Sequence, residues 1–270
     1  MAVKAPYIQR DQAHYAVQSL DRAIDLLDAF GSGDDERGVA ELARELELPR
    51  ATVHRLLAAL CHRRLLAHDP ATGKYRLGLK LFELGSIVGS SLDVGRVAHP
   101  HLVRLARDTG ETAHLVMLDG VDVVFVDKVE TDNPFRMVSQ IGRRLPARHS
   151  GSGKALLARL PTDELRSRFA VASSETGETF HLDPLLERLS AIRLQGWAID
   201  DEETQAGLRC VGASIDNHTG NAVAGLSVSG PIARITTVRI AELAATVCAT
   251  ADQISRALGY QASTALRDGV

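Results

Sequence analysis

The chain is poor in aromatic rings and in cysteine. Rings account for 4% of its 270 residues, with one Trp, four Tyr and six Phe. So few rings argue against stacking of exposed bases as the main way of holding nucleic acid. Cysteine occurs three times, at Cys61, Cys210 and Cys248. An odd number at such wide spacing argues against a disulfide framework or a CxxC zinc site and for a reducing compartment. No run of about 18 apolar residues is present, so no membrane span is expected. Met1–Arg10 has no apolar core, so no secretory signal is expected and the cytoplasm is the expected location. The ten histidines include no HExxH pair or other dedicated zinc spacing, so neither a metal nor a cofactor is expected.

What is present is an average globular composition, 45% hydrophobic and 24% charged, over a length that suits two domains. The net charge of -3 hides an uneven distribution. Met1–Leu48 carries five basic and ten acidic residues. Pro49–Lys80 carries seven basic residues and one acid, Asp69. A concentrated positive segment inside an acidic protein is the footprint expected of a nucleic-acid contact.

The positive segment sits in a recognisable order of elements. Val17–Phe30 repeats apolar residues at helical spacing and ends in a Gly31–Glu36 turn. Val39–Leu46 forms a second helix, broken at Glu47-Leu48-Pro49. Pro49 suits the first position of a third helix, which runs to about Arg63. Leu65–His68 and Lys74–Leu77 flank a Pro/Gly turn and predict a β-hairpin. Helix, helix, turn, helix, hairpin is the outline of a winged helix-turn-helix over residues 15–78. On the third helix Arg50, Thr52, His54 and Arg55 are polar, whereas Val53, Leu56 and Leu57 face inward. These four polar residues are the candidate base and phosphate readers, with Lys74 and Arg76 as the wing contacts.

Leu79–Val88 predicts a linker helix, with a boundary near Gly89–Ser91, so the linker is placed at 79–91. Asp93–Asp108 predicts another helix. Beyond Gly110 the pattern turns to strands at Ala113–Leu118, Val121–Val129, Phe135–Ser139, Trp197–Ile199, Leu208–Ile215 and Ala222–Ser229. Helices are expected at Gly153–Leu160, Thr162–Val171, Leu182–Gln195 and Ile235–Leu258. Hairpins with helices gathered around them predict an α+β domain over residues 92–262.

Three features of this second domain could carry chemistry. Gly151-Ser-Gly153-Lys154 fails as a phosphate loop, because Arg148 and Ala155 stand where Gly and Ser/Thr are required. Small residues at a helix start still suit an anion. Asp200–Glu203 is either a solvated acidic loop or a carboxylate site. Cys210 lies on an apolar strand, where an inert thiol is the default, and no base can be paired with it.

Taken together, these segments resemble the IclR-type family of bacterial transcriptional regulators from about residue 15 onward. The resemblance rests on Val39-Ala-Glu-Leu-Ala43, Leu48-Pro-Arg-Ala-Thr-Val-His-Arg-Leu-Leu57, Arg144–His149 and Gly153–Ala158. It also rests on Gly196-Trp-Ala-Ile-Asp-Asp-Glu-Glu203, Gly207-Leu-Arg-Cys-Val-Gly212 and Gly225-Leu-Ser-Val-Ser-Gly-Pro231. It implies a winged-helix DNA reader joined by a helix to a GAF-like effector domain, working as a homodimer or dimer of dimers on a pseudo-palindromic operator. It also implies a small organic acid as effector. By matching motif, the effector residues would be Met137, Gly151, Ser152, Asp200, Leu208, Cys210, Ser227 and Ser229. The chain departs from the pattern at Gly212, usually Ala, and at Ser214, where Pro is common. The rival expectations are a ligand-processing enzyme with an accessory winged helix, and a winged helix used for protein contact alone.

Overall fold

A computed structural model describes residues 17–31, 36–91, 93–133 and 139–261. The chain divides into two compact units, Met1–Ser91 and Leu92–Val270.

Three amphipathic helices make the first unit's core. α1 (Gln18–Asp28) runs into a tight turn at Ala29–Gly31, α2 spans Val39–Glu45 and α3 spans Arg50–His62. Leu26, Phe30, Leu42, Val53, Leu57 and Leu60 converge, and Leu66 and Tyr75 close the core from the hairpin. Val53, Leu57 and Leu60 recur at i, i+4 and i+7, so one stripe of α3 is buried, flanked by half-buried Leu56 and Cys61, while Arg50, His54 and Arg55 are exposed. Pro49 is the residue before α3 rather than its first, and Glu47 takes the left-handed region at φ 52° to turn the chain.

The hairpin pairs β1 (Leu66–His68) with β2 (Tyr75–Leu77), Ala67 opposite Arg76. Asp69 shapes its turn by accepting the Ala71 amide at 2.8 Å and the Thr72 hydroxyl at 3.2 Å. Gly78 is required where the hairpin leaves the helices, because a Cβ there would stand 2.2 Å from the Arg64 carbonyl oxygen. Buried Arg37 ties the unit together. Its backbone bridges Tyr75 through bonds of 2.8 and 2.9 Å, and its guanidinium reaches the Ala29 carbonyl, Glu41 and Glu45.

α4 (Leu79–Ser91) continues three residues beyond the expected end, since Gly89-Ser90-Ser91 contains no proline to stop it. In the second unit α5 (Asp93–Thr109) leads into β3 (Thr112–Asp119) and β4 (Asp122–Val129), joined at Gly120, which has φ 63°. β5 (Arg144–Pro146), α6 (Gly151–Leu157), α7 (Thr162–Thr176), α8 (Leu182–Gln195), β6 (Ala198–Asp201), β7 (Leu208–Asp216), β8 (Ala222–Pro231) and α9 (Ile240–Ala257) follow.

Among the described residues six strands form one antiparallel sheet, ordered β5-β4-β3-β8-β7-β6. Alternation along each strand sends side chains to opposite faces. Ala113, Leu115, Val211, Ala213, Ile215, Ala224, Leu226 and Val228 pack with α5 and α9 in one core. The residues between them face α6, and α7 and α8 complete a second core there. This is the expected α+β architecture.

Several expected boundaries move. α6 begins at Gly151 rather than Gly153, because the Ser150 hydroxyl accepts the Gly153 amide at 2.9 Å and caps it. α9 begins at Ile240 rather than Ile235, whose side chain is buried from a turn instead. The short edge strand β5 was not expected. The strand expected at Phe135–Ser139 lies outside the described residues apart from Ser139, which is in no strand.

Candidate functional site

The first unit presents a cationic edge. Arg50 opens α3 and is exposed, as are His54 and Arg55; Thr52 is half-buried, its amide bonded to the Pro49 carbonyl at 2.8 Å. Neither arginine forms a salt bridge among the described residues, so both guanidinium groups keep their donors for another partner. Lys74 and Arg76 are exposed on the hairpin. All six candidate readers thus lie within this unit, on α3 and the hairpin.

In the second unit the strand register gathers polar side chains beneath α6. Asp200 is opposite Cys210, Cys210 opposite Ser229, and Ser229 opposite Thr112. The next row runs Gly212, Ser227, His114. Ser227 and Ser229 share a face by the two-residue period of the strand, as do Leu208 and Cys210. Thr112, His114, Ser152, Asp200, Cys210, Ser227 and Ser229 are all buried. A layer this polar inside a fold calls for hydrogen-bond partners. The Thr112 hydroxyl has none.

α6 lies unusually close to this layer because the sequence supplies glycines. A Cβ on Gly151 would stand 3.2 Å from Ala198 and Cys210 carbonyl oxygens, and one on Gly225 would stand 3.0 Å from the Ser152 Cβ. Gly212, the departure noted above, has a local reason here: a Cβ would meet the Ser152 backbone. α6 has seven residues, so its dipole adds little, and hydroxyls and amides dominate the site.

His114 is the site residue that sequence reasoning missed. Its Nε2 lies 2.8 Å from the Ser139 hydroxyl and its Nδ1 3.4 Å from the Ser229 hydroxyl. Its ring meets Phe125 edge-on at 5.1 Å. Burial, aided by the Lys128 charge, pushes its pKa down from 6.5 to about 4, so it is a neutral hydrogen-bonding ring. A histidine alternating with Leu and Val on a strand was the available signal; Ser139, 25 residues away, offered none.

Cys210 stays a thiol. Burial pushes its pKa up and the Asp200 charge adds to this, against hydrogen bonds from Ser229, Ser227 and the Gly151 amide. A protonated thiol is a poor nucleophile. Asp200 differs from a free acceptor, since its Oδ1 already takes the Glu203 amide at 2.8 Å and the Thr204 amide at 3.2 Å. Leu208 packs with the α7–α8 core, and Met137 lies outside the described residues.

Half-buried Glu203 gathers a charge cluster beside this layer. It accepts from Lys154, fully buried on α6, and from Arg188 on α8 at 2.7 Å, with His149 at 3.8 Å.

Comparison with known proteins identifies the arrangement. Residues 19–70 match the IclR helix-turn-helix domain, and residues 87–256 match the bacterial transcriptional regulator IclR C-terminal domain. The chain belongs to the IclR family of bacterial transcriptional regulators. Over 249 residues it is 35% identical to the HTH-type transcriptional regulator XynR of Escherichia coli K12, covering 91% of this chain and 99% of that protein. It is 34% identical to the acetate operon repressor of Salmonella typhimurium, covering 90% of each. The crystal structure of the Thermotoga maritima IclR superposes with a TM-score of 0.70 at 33% identity, covering 91% of this chain and all of that one. These IclR relatives are regulators rather than enzymes, which removes the ligand-processing reading. A helix-turn-helix of the IclR type is a DNA reader, which removes the protein-contact reading. No helix among the described residues is long and apolar enough to cross a membrane.

Proposed function

We propose that this IclR-family regulator binds a small organic acid at the buried polar layer beside the start of α6, and that the acid sets its affinity for a pseudo-palindromic operator. The observation that carries the reading is the buried polar layer, in which the Thr112 hydroxyl is unpaired beside Ser229. An acid lying across this layer would take hydroxyls from Ser227 and Ser229. His114 and the Gly151–Ser152 start of α6 would flank it. Cys210 and Leu208 supply the less polar wall, Met137 a further apolar contact, and Asp200 holds the adjoining turn. No covalent step is involved. The ligand acts by binding two conformations unequally.

Arg50, Thr52, His54 and Arg55 would enter the major groove, with Lys74 and Arg76 on phosphate. In this reading residues 15–78 are the reading head, 79–91 the linking helix and 92–262 the effector domain, and the protein acts in the cytoplasm. Exposed apolar side chains on α1 and α4, among them Leu20, Ile24, Leu79 and Phe82, support self-association in this reading. A homodimer, or a dimer of dimers, would cover them and offer two identical heads to a two-fold operator.

The test pairs ligand and operator titrations. Catabolic acids are screened by thermal shift on the full chain, and the operator is taken from genomic fragments the protein enriches. Ser227→Ala and Ser229→Ala should each weaken the selected acid by about 1–3 kcal/mol, leaving ligand-free operator binding nearly unchanged. Arg50→Ala or Arg55→Ala should weaken operator binding by about 1–3 kcal/mol. Unchanged ligand affinity in both serine variants would move the effector elsewhere.

A further inference from the structure

A cavity opens beside Glu203, and none of the polar-layer residues lines it. It is a groove of about 360 Å³ between the segment entering α6, the α7–α8 connection and α8. That size falls within the range of small-molecule pockets, roughly 300–1,000 Å³. Its inner wall is apolar: Phe169 and Leu185 are buried, and Phe180 and Leu182 are half-buried. Phe180 is held edge-on against Phe169, with centroids 5.1 Å apart at 69°.

Its rim carries two arginines, each paired with one carboxylate. The Arg148 guanidinium lies over the Phe180 ring at 4.9 Å and gives one bond of 2.8 Å to Glu178. Arg188 gives one bond of 2.7 Å to Glu203. A guanidinium has five N–H donors, so each arginine has more to offer than its acid takes. Along the rim Arg148 and Arg188 equal Glu178 and Glu203 in number. The spare guanidinium donors, rather than an excess of charge, are what the rim offers a carboxylate.

We propose that this groove is a second ligand site, taking an aromatic monocarboxylate. The ring would lie against Phe169, Phe180 and Leu185, and the carboxylate between Arg148 and Arg188 beside His149. A phosphate fits less well, because a second negative charge would face Glu178 and Glu203 and leave the apolar wall bare. Glu203 links the two sites: its carboxylate holds Arg188 and Lys154, while its amide closes on Asp200. A ligand drawing on Arg188 alters that arrangement, and any resulting coupling is reciprocal.

Benzoate is the probe, titrated into the full-length protein. The imidazole C2–H signal of His149, identified by its loss in His149→Asn, should shift and saturate. Arg148→Gln/Arg188→Gln should need at least tenfold more benzoate, whereas Ser227→Ala, in the polar layer, should not alter the titration. Acetate, which lacks the ring, should bind at least tenfold more weakly. A His149 signal unmoved at millimolar benzoate overturns the proposal without recourse to any arginine variant. Equal saturation by acetate, benzoate and phosphate overturns the aromatic assignment and leaves a general charge patch. Loss of the His149 shift in Ser227→Ala would place the binding in the polar layer instead.

Discussion

Gly212 on β7 lies directly beneath the Ser152 amide: a Cβ built on Gly212 stands 2.3 Å from that nitrogen and 2.6 Å from the Ser152 Cα. Both obstructing atoms are backbone, so α6 itself must shift to admit a methyl group. Gly212→Ala should destabilise the second unit by about 1–3 kcal/mol. Gly95 in α5 has no atom within 4 Å of its Cβ position and serves as the control. Gly95→Ala should be neutral or stabilise by up to about 1 kcal/mol. Urea unfolding midpoints decide it; equal stability of the two variants would contradict the close packing.

His114 should make stability fall in acid. Its pKa drops from 6.5 to about 4 on folding, first through burial and then through the Lys128 charge. The unfolded chain therefore takes up this proton before the folded chain does. The contribution is fully present above about pH 6.5 and is lost as pH falls toward about 4, by about 3 kcal/mol in total. His114→Gln keeps a hydrogen-bonding side chain and removes the titration. Its urea midpoint should change less than wild type between about pH 7 and about pH 4.5. Parallel profiles would show that His114 is already charged in the fold.

The Lys154–Glu203 pair should respond asymmetrically. Burial holds the Lys154 pKa below its ordinary value despite the pull of Glu203. Burial works to raise Glu203, but Lys154 and Arg188 together outweigh it and its pKa is lowered. Glu203→Gln strands a fully buried ammonium and should destabilise by about 3–5 kcal/mol. Lys154→Met leaves Glu203 with Arg188 and partial solvent contact, and should cost less. Lys154→Met/Glu203→Gln should recover most of the loss. A double-mutant cycle measures this, and additive losses would argue against a coupled pair.

The first unit was legible because its signals are local. Apolar spacing marked its helices, the Pro/Gly turn marked its hairpin, and a run of cations marked the outward face of α3. Serines two apart on β8 likewise had to share a face. What stayed hidden depends on partners distant in sequence. Lys154 reads only as the lysine of a failed phosphate loop until Glu203, 49 residues on, is seen to meet it. The acidic run Asp200–Glu203 reads as either a solvated loop or a carboxylate site, and the sequence does not show that Asp200 turns inward while Asp201 and Glu202 remain exposed. The start of α6 moved for a nearer reason: the Ser150 hydroxyl, rather than the glycines after it, decides where the helix begins.

Arg37 carries a further consequence for how the DNA contact is made. One buried residue joins the end of α1, helix α2 and the wing strand, its side chain through Ala29, Glu41 and Glu45 and its backbone through Tyr75. In the proposed reading the wing is thus not a flap that folds down onto a phosphate after the helix has docked: helix and wing meet DNA as one piece, their spacing set beforehand. Less motion has to be frozen on association, so less of the contact energy is offset by lost freedom. Loosening Arg37 would weaken the grip on every operator alike, without removing a single atom that touches DNA.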